Sequence, residues 1–309
     1  MSDRVEVESE VIETLLKAAC PERSNDIADY WRKFAPTFSV RPDDVGLAMS
    51  ARAAKVSWMH KTLAHDWVVT FAGMKAYAAY SPHILFGRIT GSLVKEFFDQ
   101  DEDLARTEAE LDNLLYFAKQ IGLVKQLDEL PWPDDIPQPG TARESLEKVE
   151  DKACFDLACM AAAASLFHEM RHVQFSGEGD APEDGIEEER QCDDFSREML
   201  VASVGEYCKV SGYDTVQTMS KRIIALSCTA FTIGVAEAKG MSAAIAGTHP
   251  ILAERFTHLV LKAEAPEDAF CWEYLACLLI AMLRRDRKMP DAMPFDSPKS
   301  LCRELVTLL

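Results

Sequence analysis

The sequence predicts an α+β fold that is predominantly helical, with a small sheet beside one central helix. Three observations support this prediction. Residues 147–175 contain neither proline nor glycine and carry small and apolar side chains at helical spacing. Several apolar helical runs follow in the second half of the chain. Short β-branched and aromatic stretches, bounded by proline, glycine and aspartate, are confined to residues 37–86.

The first part of the chain is predicted to alternate between helix and strand. Helix is expected over residues 8–34, with a break at Pro21, and again over residues 88–130. The candidate strands are residues 37–40, 67–71 and 75–80. The alanine-rich third stretch fits a helix as well. A sheet built from these strands would have an edge strand able to hold an extended peptide by main-chain pairing.

A proline-rich stretch, residues 131–140, divides the sequence in two. Residues 1–140 form an N-terminal helical part with the expected sheet, where we expect a substrate or regulator to bind. Residues 141–309 are expected to hold the motif-bearing helices and a C-terminal helical bundle. We interpret the proline-rich stretch as a loop within one integrated unit.

The central helix carries the sequence His168-Glu-Met-Arg-His172. Residues four apart lie on one face of an α-helix, so both imidazoles can point at one metal ion. Glu169 lies beside them, where its carboxylate could take a proton from a zinc-bound water molecule. The motif therefore predicts a zinc site with His168 and His172 as ligands and Glu169 as the general base.

The third ligand is expected on a second helix, because a catalytic zinc ion usually has three protein ligands and one open position. Beyond an acidic loop, residues 176–185, the next helical run places Glu189 and Asp193 four apart on one face. We predict that Glu189 binds the metal and that Asp193 hydrogen-bonds the far nitrogen of a ligating histidine. Cys192, on the same helix, is the alternative ligand.

The rest of the chain is predicted to be helical, over residues 210–238, 250–263, 266–285 and 298–309. Two apolar runs within it, residues 223–236 and 269–283, are each about 15 residues long, whereas a membrane span needs about 20. We therefore expect buried core helices and no stable membrane span. The basic cluster after the second run is interpreted as a helix end and, alternatively, as a membrane contact.

Together the two motifs resemble the glutamate-zincins, whose third zinc ligand is the glutamate of an E-x-x-x-D helix. The segment from His249-Pro250 to Arg255 is similar to the H-P-x-x-x-x-R segment of the CaaX-processing and HtpX-type members. This resemblance implies that His249 stabilises the oxyanion and that Arg255 orients Glu189 or Asp193. Residues 192–200, the chain length and the largely soluble composition look most like the Lit family of phage-exclusion proteins.

The Lit resemblance implies a zinc metalloendopeptidase of antiviral defence with a zincin-like core. Its expected substrate is elongation factor Tu, whose cleavage stops translation in abortive infection, and its expected trigger is an activating peptide or phage protein. Two alternatives stay open. One is an ImmA-like regulatory protease that cuts a repressor. The other is a non-enzymatic helical sensor or binding module with a structural metal site.

The amino-acid composition limits the classes of partner and the cellular compartment that we expect. The formal net charge of −18 argues against nucleic acid as a partner, because phosphate binding needs clustered lysine and arginine. Nine cysteines, mostly in apolar helical contexts, indicate buried free thiols, and the first residues show no apolar signal segment. We therefore expect a cytoplasmic protein. The remaining histidines, His60, His65, His83 and His258, are predicted to be surface or hydrogen-bonded core residues.

Overall fold

The computed structural model describes residues 2–237 and 250–309. Its helices are α1 Ser2–Ala19, α2 Ser24–Phe34, α3 His60–Thr90, α4 Lys95–Asp99, α5 Glu102–Leu123, α6 Val149–Glu178, α7 Gly185–Val201, α8 Val204–Ser211, α9 Thr215–Glu237, α10 Leu252–Phe256, α11 Phe270–Arg285 and α12 Pro298–Val306. Its strands are β1 Thr37–Arg41, β2 Met49–Arg52, β3 Lys55–Met59, β4 Ser92–Val94 and β5 Ala292–Pro294. The predicted fold class, predominantly helical α+β with a small sheet, is confirmed.

The larger sheet has the strand order β1-β3-β2, with β1 parallel and β2 antiparallel to β3. The Met59 amide donates to the Ala48 carbonyl at 3.1 Å. Since every second residue of an antiparallel strand bonds its neighbour, Ser50 and Arg52 are the residues of β2 that bond β3. By this alternation, the main-chain groups of Met49 and Ala51 point away from β3. Nothing else in the described chain pairs with that edge of β2.

Two of the three predicted strands are wrong. Residues 67–71 and 75–80 lie inside α3, as the alternative for the alanine-rich stretch allowed, and only residues 37–40 form a strand. Residues 67–73 are all buried, because several helices enclose this part of α3. A helix buried on every side loses the 3.6-residue alternation that distinguishes it from a strand.

Helix α6 lies at the centre of the fold and packs against α7, α9, α3 and β2. Its alanines Ala161, Ala163 and Ala164 are buried, so neighbouring backbones can approach closely. The helix ends at Glu178 and is capped by Gly179, which adopts a left-handed conformation with φ 71°. Gly177, predicted to help end the helix, lies within it.

Several predicted boundaries also change. The helix predicted over residues 88–130 is divided into the end of α3, strand β4 and helices α4 and α5, and it ends at Leu123. The acidic loop is shorter than residues 176–185, because α6 continues to Glu178 and α7 begins at Gly185. The predicted helix over residues 210–238 begins only at Thr215, after a turn that follows α8. The segment predicted as one helix over residues 250–263 consists of α10 followed by a π-helical turn, Thr257–Leu261.

The proline-rich stretch forms a loop that is tied to the fold. The Trp67 indole donates to the Pro137 carbonyl at 2.8 Å, and Ile136 is buried. A second link between the two halves of the sequence is the buried ion pair between Glu22 and Arg222. The division into residues 1–140 and 141–309 stays a prediction.

Two helices, α6 and residues 215–236 of α9, are long and apolar enough to cross a membrane by length and composition alone. The apolar run of residues 223–236 is the second part of α9, so this helix is longer than the apolar run, although it is shorter than the predicted helix of residues 210–238. Most of both helices is buried within the protein, 61% of the apolar window in α6 and 83% in α9, as in core helices of soluble proteins. That neither spans a membrane stays a prediction.

The nine cysteines are all free thiols, as predicted, and eight of them are buried. Burial raises the pKa of most of these thiols, that of Cys20 to about 12 and that of Cys271 to about 11. They behave as small apolar core residues.

Candidate active site

Helix α6 presents His168, Glu169 and His172 to a cleft. The two imidazole rings share one face of the helix, with ring centroids 5.1 Å apart. Apolar residues of α6 on either side of the motif, such as Phe167, Met170 and Val173, are buried and hold the helix in the core. The three polar side chains are therefore placed by a rigid element.

Helix α7 brings Glu189 onto the two histidines. Its Oε2 lies 3.3 Å from His168 Nε2, and its Oε1 lies 3.3 Å from His172 Nε2. The helix starts at this point because the Asp184 side chain accepts a hydrogen bond from the Ile186 amide, an N-cap. One carboxylate thus faces both Nε2 atoms.

The outer nitrogens of both histidines are held by other carboxylates. His168 Nδ1 lies 2.9 Å from Asp193 Oδ1, and His172 Nδ1 lies 2.7 Å from Glu188 Oε1. A carboxylate at Nδ1 fixes the proton there and leaves Nε2 as the ligand atom. The contact between Asp193 and a ligating histidine agrees with the prediction from the sequence. The contact between Glu188 and His172 was not predicted.

Arg255, on α10, joins the carboxylates of α7 from the other side. Its guanidinium donates to Glu189 Oε2 at 2.8 Å and to Asp193 Oδ1 at 3.2 Å, and the residue is only 4% exposed. The family resemblance implies that Arg255 orients either Glu189 or Asp193. In the structure Arg255 contacts both carboxylates. His249 lies outside the described residues.

These contacts shift the pKa values of the site strongly. Burial lowers the pKa of His168, but hydrogen bonds to Asp193 and Glu189 outweigh burial and raise it to about 10. Burial would raise the pKa of Glu189, yet the histidines and Arg255 hold it well below its usual range. Burial raises the pKa of Glu169, with the nearby histidines opposing the shift. The site therefore combines a firmly ionised carboxylate with one that binds a proton more readily.

His168, His172 and Cys192 form a group that could hold a metal ion, with ligand atoms within 4.8 Å of one another. Glu189 is the better third ligand on distance, because its oxygens lie 3.3 Å from the Nε2 atoms. It is also ionised, whereas burial raises the pKa of the Cys192 thiol. A metal ligand must be deprotonated.

The site opens into a cleft of about 590 Å³. One wall is the outward edge of β2, where the Ala51 amide hydrogen-bonds Glu169. Another wall is α3, which contributes His65 and Asp66. The cleft therefore joins a strand edge that no other described strand covers to the candidate metal ligands.

The other histidines have the predicted ordinary surroundings, with one exception. His60 is exposed, His83 stacks on Phe98, and His258 contacts Asp194 at 3.2 Å. His65 is fully buried, as a core residue would be, but it lines the cleft. Nothing in the local sequence of His65 distinguishes it from the other histidines. The role of Glu188 at His172 could have been predicted, because Glu188 is next to the expected ligand Glu189.

The model of the Peptidase U49 family matches residues 56–275, well over half of the chain. A search of curated proteins and a search of solved structures gave no match. The matched region contains both motif helices, so the predicted peptidase class is confirmed at the level of the family, while zinc dependence and the Lit assignment remain predictions. The chain therefore belongs to the Peptidase U49 family.

Proposed function

We propose that this peptidase is a zinc-dependent endopeptidase that cuts one specific protein. The observation that carries the proposal is the Glu189 carboxylate, which lies 3.3 Å from the Nε2 atoms of both His168 and His172. Three such donors, two imidazole nitrogens and one carboxylate, are the ligand set of many catalytic zinc sites and leave a fourth position for water.

Each Nε2 atom lies at 3.3 Å from one oxygen of Glu189, a separation that suits two ligands of one zinc ion, and the chemistry of the donors also fits zinc. In a tetrahedron with bonds of about 2.0–2.1 Å, ligand atoms are about 3.3 Å apart. Both Nδ1 atoms are already held by carboxylates, as histidines bound to zinc usually are. A zinc ion bound there would polarise the scissile carbonyl and lower the pKa of its water molecule.

Glu169 is positioned to move the protons of the reaction. Its carboxylate accepts the proton of the attacking water and then donates it to the leaving amine nitrogen. Burial raises the pKa of this carboxyl, which suits a group that must first take up and then release a proton near neutral pH. Glu189, whose pKa is held low, is unsuited to that role.

The chain also supplies a way to hold the substrate. The outward main-chain groups of Met49 and the outward carbonyl of Ala51 lie along the cleft, where an extended peptide can pair with them as an additional strand. Arg255 keeps Glu189 and Asp193 in place through its two hydrogen bonds. From the family resemblance, we assign His249 to stabilise the oxyanion.

We propose elongation factor Tu as the protein that is cut, on the strength of the resemblance to the Lit family. We further propose a cytoplasmic enzyme that stays inactive until an activating peptide or phage protein binds. The decisive experiment compares new protein N-termini in bacteria that express the wild-type chain, Glu169→Gln or Glu198→Gln, before and during phage infection. Glu198 is an exposed residue of α7 and serves as the matched control.

A cut that appears with the wild-type chain and Glu198→Gln, but not with Glu169→Gln, is the expected result. A cut in elongation factor Tu supports the Lit assignment, whereas a cut only in a repressor selects the ImmA-like alternative. Cleavage that persists in Glu169→Gln contradicts the mechanism. Tightly bound zinc without any cleavage, in any of these conditions, favours a structural metal site.

A further inference from the structure

The cleft continues beyond the candidate metal ligands to a second polar wall, formed by His65 and Asp66 on α3. The His65 side chain is 1% exposed and the Asp66 side chain is 14% exposed. The mechanism proposed above uses neither of them. Buried polar groups in a substrate cleft need a partner, because an unpaired one costs free energy.

This wall offers acceptors and lacks a cationic donor. The Asp66 carboxylate has one polar contact in the described chain, with His65 Nδ1 at 3.5 Å, which is long for a hydrogen bond. His65 Nε2 is buried and has no hydrogen-bond partner among the described residues. With the ring proton on Nδ1, facing Asp66, Nε2 is a second acceptor.

The wall lies close to the place where a peptide would be held. The Thr62 hydroxyl donates to the Ala48 carbonyl at 3.1 Å, so the start of α3 is fixed beside the first residues of β2. The Ala51 amide, further along β2, contacts Glu169. The start of α3 is therefore fixed three residues along β2 from the position whose amide contacts Glu169, a spacing of about 10 Å for an extended chain.

The positive groups of the cleft do not neutralise Asp66. Arg255 is bound to Glu189 and Asp193. Arg41 ends β1, which is separated from β2 by β3, so its backbone lies about 10 Å from the edge strand. Arg41 makes no ion pair with Asp66 in the described part of the chain, and its Nε is buried there without a hydrogen-bond partner.

We propose that His65 and Asp66 form a specificity subsite for a basic side chain, lysine or arginine, of the protein substrate. A cationic donor would give the Asp66 carboxylate the partner that it lacks, through a charge-assisted hydrogen bond. A neutral or acidic side chain would leave that carboxylate desolvated and unpaired. This inference rests on the proposed endopeptidase function and names the class of substrate residue that it recognises.

The test uses the full chain loaded with zinc and a set of tripeptide hydroxamates, whose hydroxamate group binds zinc. Each tripeptide carries lysine, glutamine or glutamate at one of its three positions, with alanine elsewhere. At one position, the lysine compound should bind the wild-type chain about tenfold more tightly than the glutamine compound. Asp66→Asn should remove this preference, and Asp66→Lys should shift it towards glutamate.

Two controls separate the subsite from general effects. Asp135→Asn, at an exposed residue in the loop of residues 131–140, removes the same charge and should keep the lysine preference. Affinity for the all-alanine hydroxamate should be equal in wild type and Asp66→Asn, which shows that the variant is folded. If Asp66→Asn does not fold, Asp66→Ser takes its place.

The outcomes distinguish the two proposals. Binding of the all-alanine hydroxamate without a lysine preference at any position overturns the subsite and leaves the zinc site standing. A lysine preference that survives in Asp66→Asn also overturns the subsite. If the chain takes up zinc but binds no hydroxamate, the subsite is overturned and the zinc site stands. If the chain takes up no zinc, both the zinc site and the subsite that depends on it are refuted.

Discussion

Replacement of Asp193 by asparagine tests whether the carboxylates behind the histidines serve a metal. Asp193 is 1% exposed, and its Oδ1 lies 2.9 Å from His168 Nδ1 and 3.2 Å from the Arg255 guanidinium. Asparagine keeps the shape and can still accept from Nδ1, but it removes the negative charge that makes the imidazole a stronger ligand. We expect zinc affinity to fall about 10- to 100-fold, which equals about 1.4–2.7 kcal/mol.

The assay is a competition titration of zinc against a chelator of known affinity, with two comparison variants. Glu188→Gln removes the carboxylate at His172 Nδ1, but Glu188 is 28% exposed, so we expect no more than about a fivefold loss. Glu198→Gln, on the same helix and 63% exposed, should leave the affinity unchanged. An Asp193→Asn protein that binds zinc within twofold of wild type would refute the reasoning.

Three further predictions concern stability. Glu22→Gln breaks the buried pair with Arg222 and should lower the free energy of unfolding by about 3 kcal/mol in urea titrations, whereas a loss below 1 kcal/mol would contradict it. Gly73→Ala places a methyl group 2.8 Å from the Tyr274 hydroxyl and should cost about 1–3 kcal/mol; an unchanged melting temperature would show that the helices can move apart. Zinc at 100 times its Kd should stabilise the wild-type chain by about 2.7 kcal/mol, and the absence of any shift on chelation would count against a zinc site.

The two motif helices could be predicted because their signals are local. The spacing of four residues places His168 with His172 and Glu189 with Asp193 on single helix faces, whatever the rest of the fold does. Gly179 ends α6 by its left-handed conformation. Such signals fix which side chains share a face, and the match to the peptidase family falls on the same helices.

The sheet could be predicted only in part. Strands β2 and β3 are joined by Ala53 and Ala54, and Ala53 takes the left-handed conformation with φ 51° that glycine or asparagine usually occupies. The hairpin therefore lacks its usual sequence signature. Conversely, the aromatic and β-branched residues 67–71 belong to α3, since burial on every side outweighs their strand preference.

The second wall of the cleft could not be predicted, because it depends on distant parts of the chain meeting. His65 and Asp66 face α6 only because β3 leads directly into α3 and the Thr62 hydroxyl is bonded to Ala48. No spacing in the sequence links residue 65 to residue 168. Subsites of this kind follow from the fold, while the ligand pairs follow from helix geometry.

The charges around the two histidines favour a dication at this position. Glu189 and Asp193 are buried together, and among the described residues Arg255 contacts both carboxylates and brings one positive charge. Burying like charges together is costly, and the carboxylates accordingly raise the pKa values of His168 and His172, which favours extra protons on the two rings. A zinc ion would replace those protons and balance both carboxylates, so the electrostatics and the ligand spacing favour the same occupant.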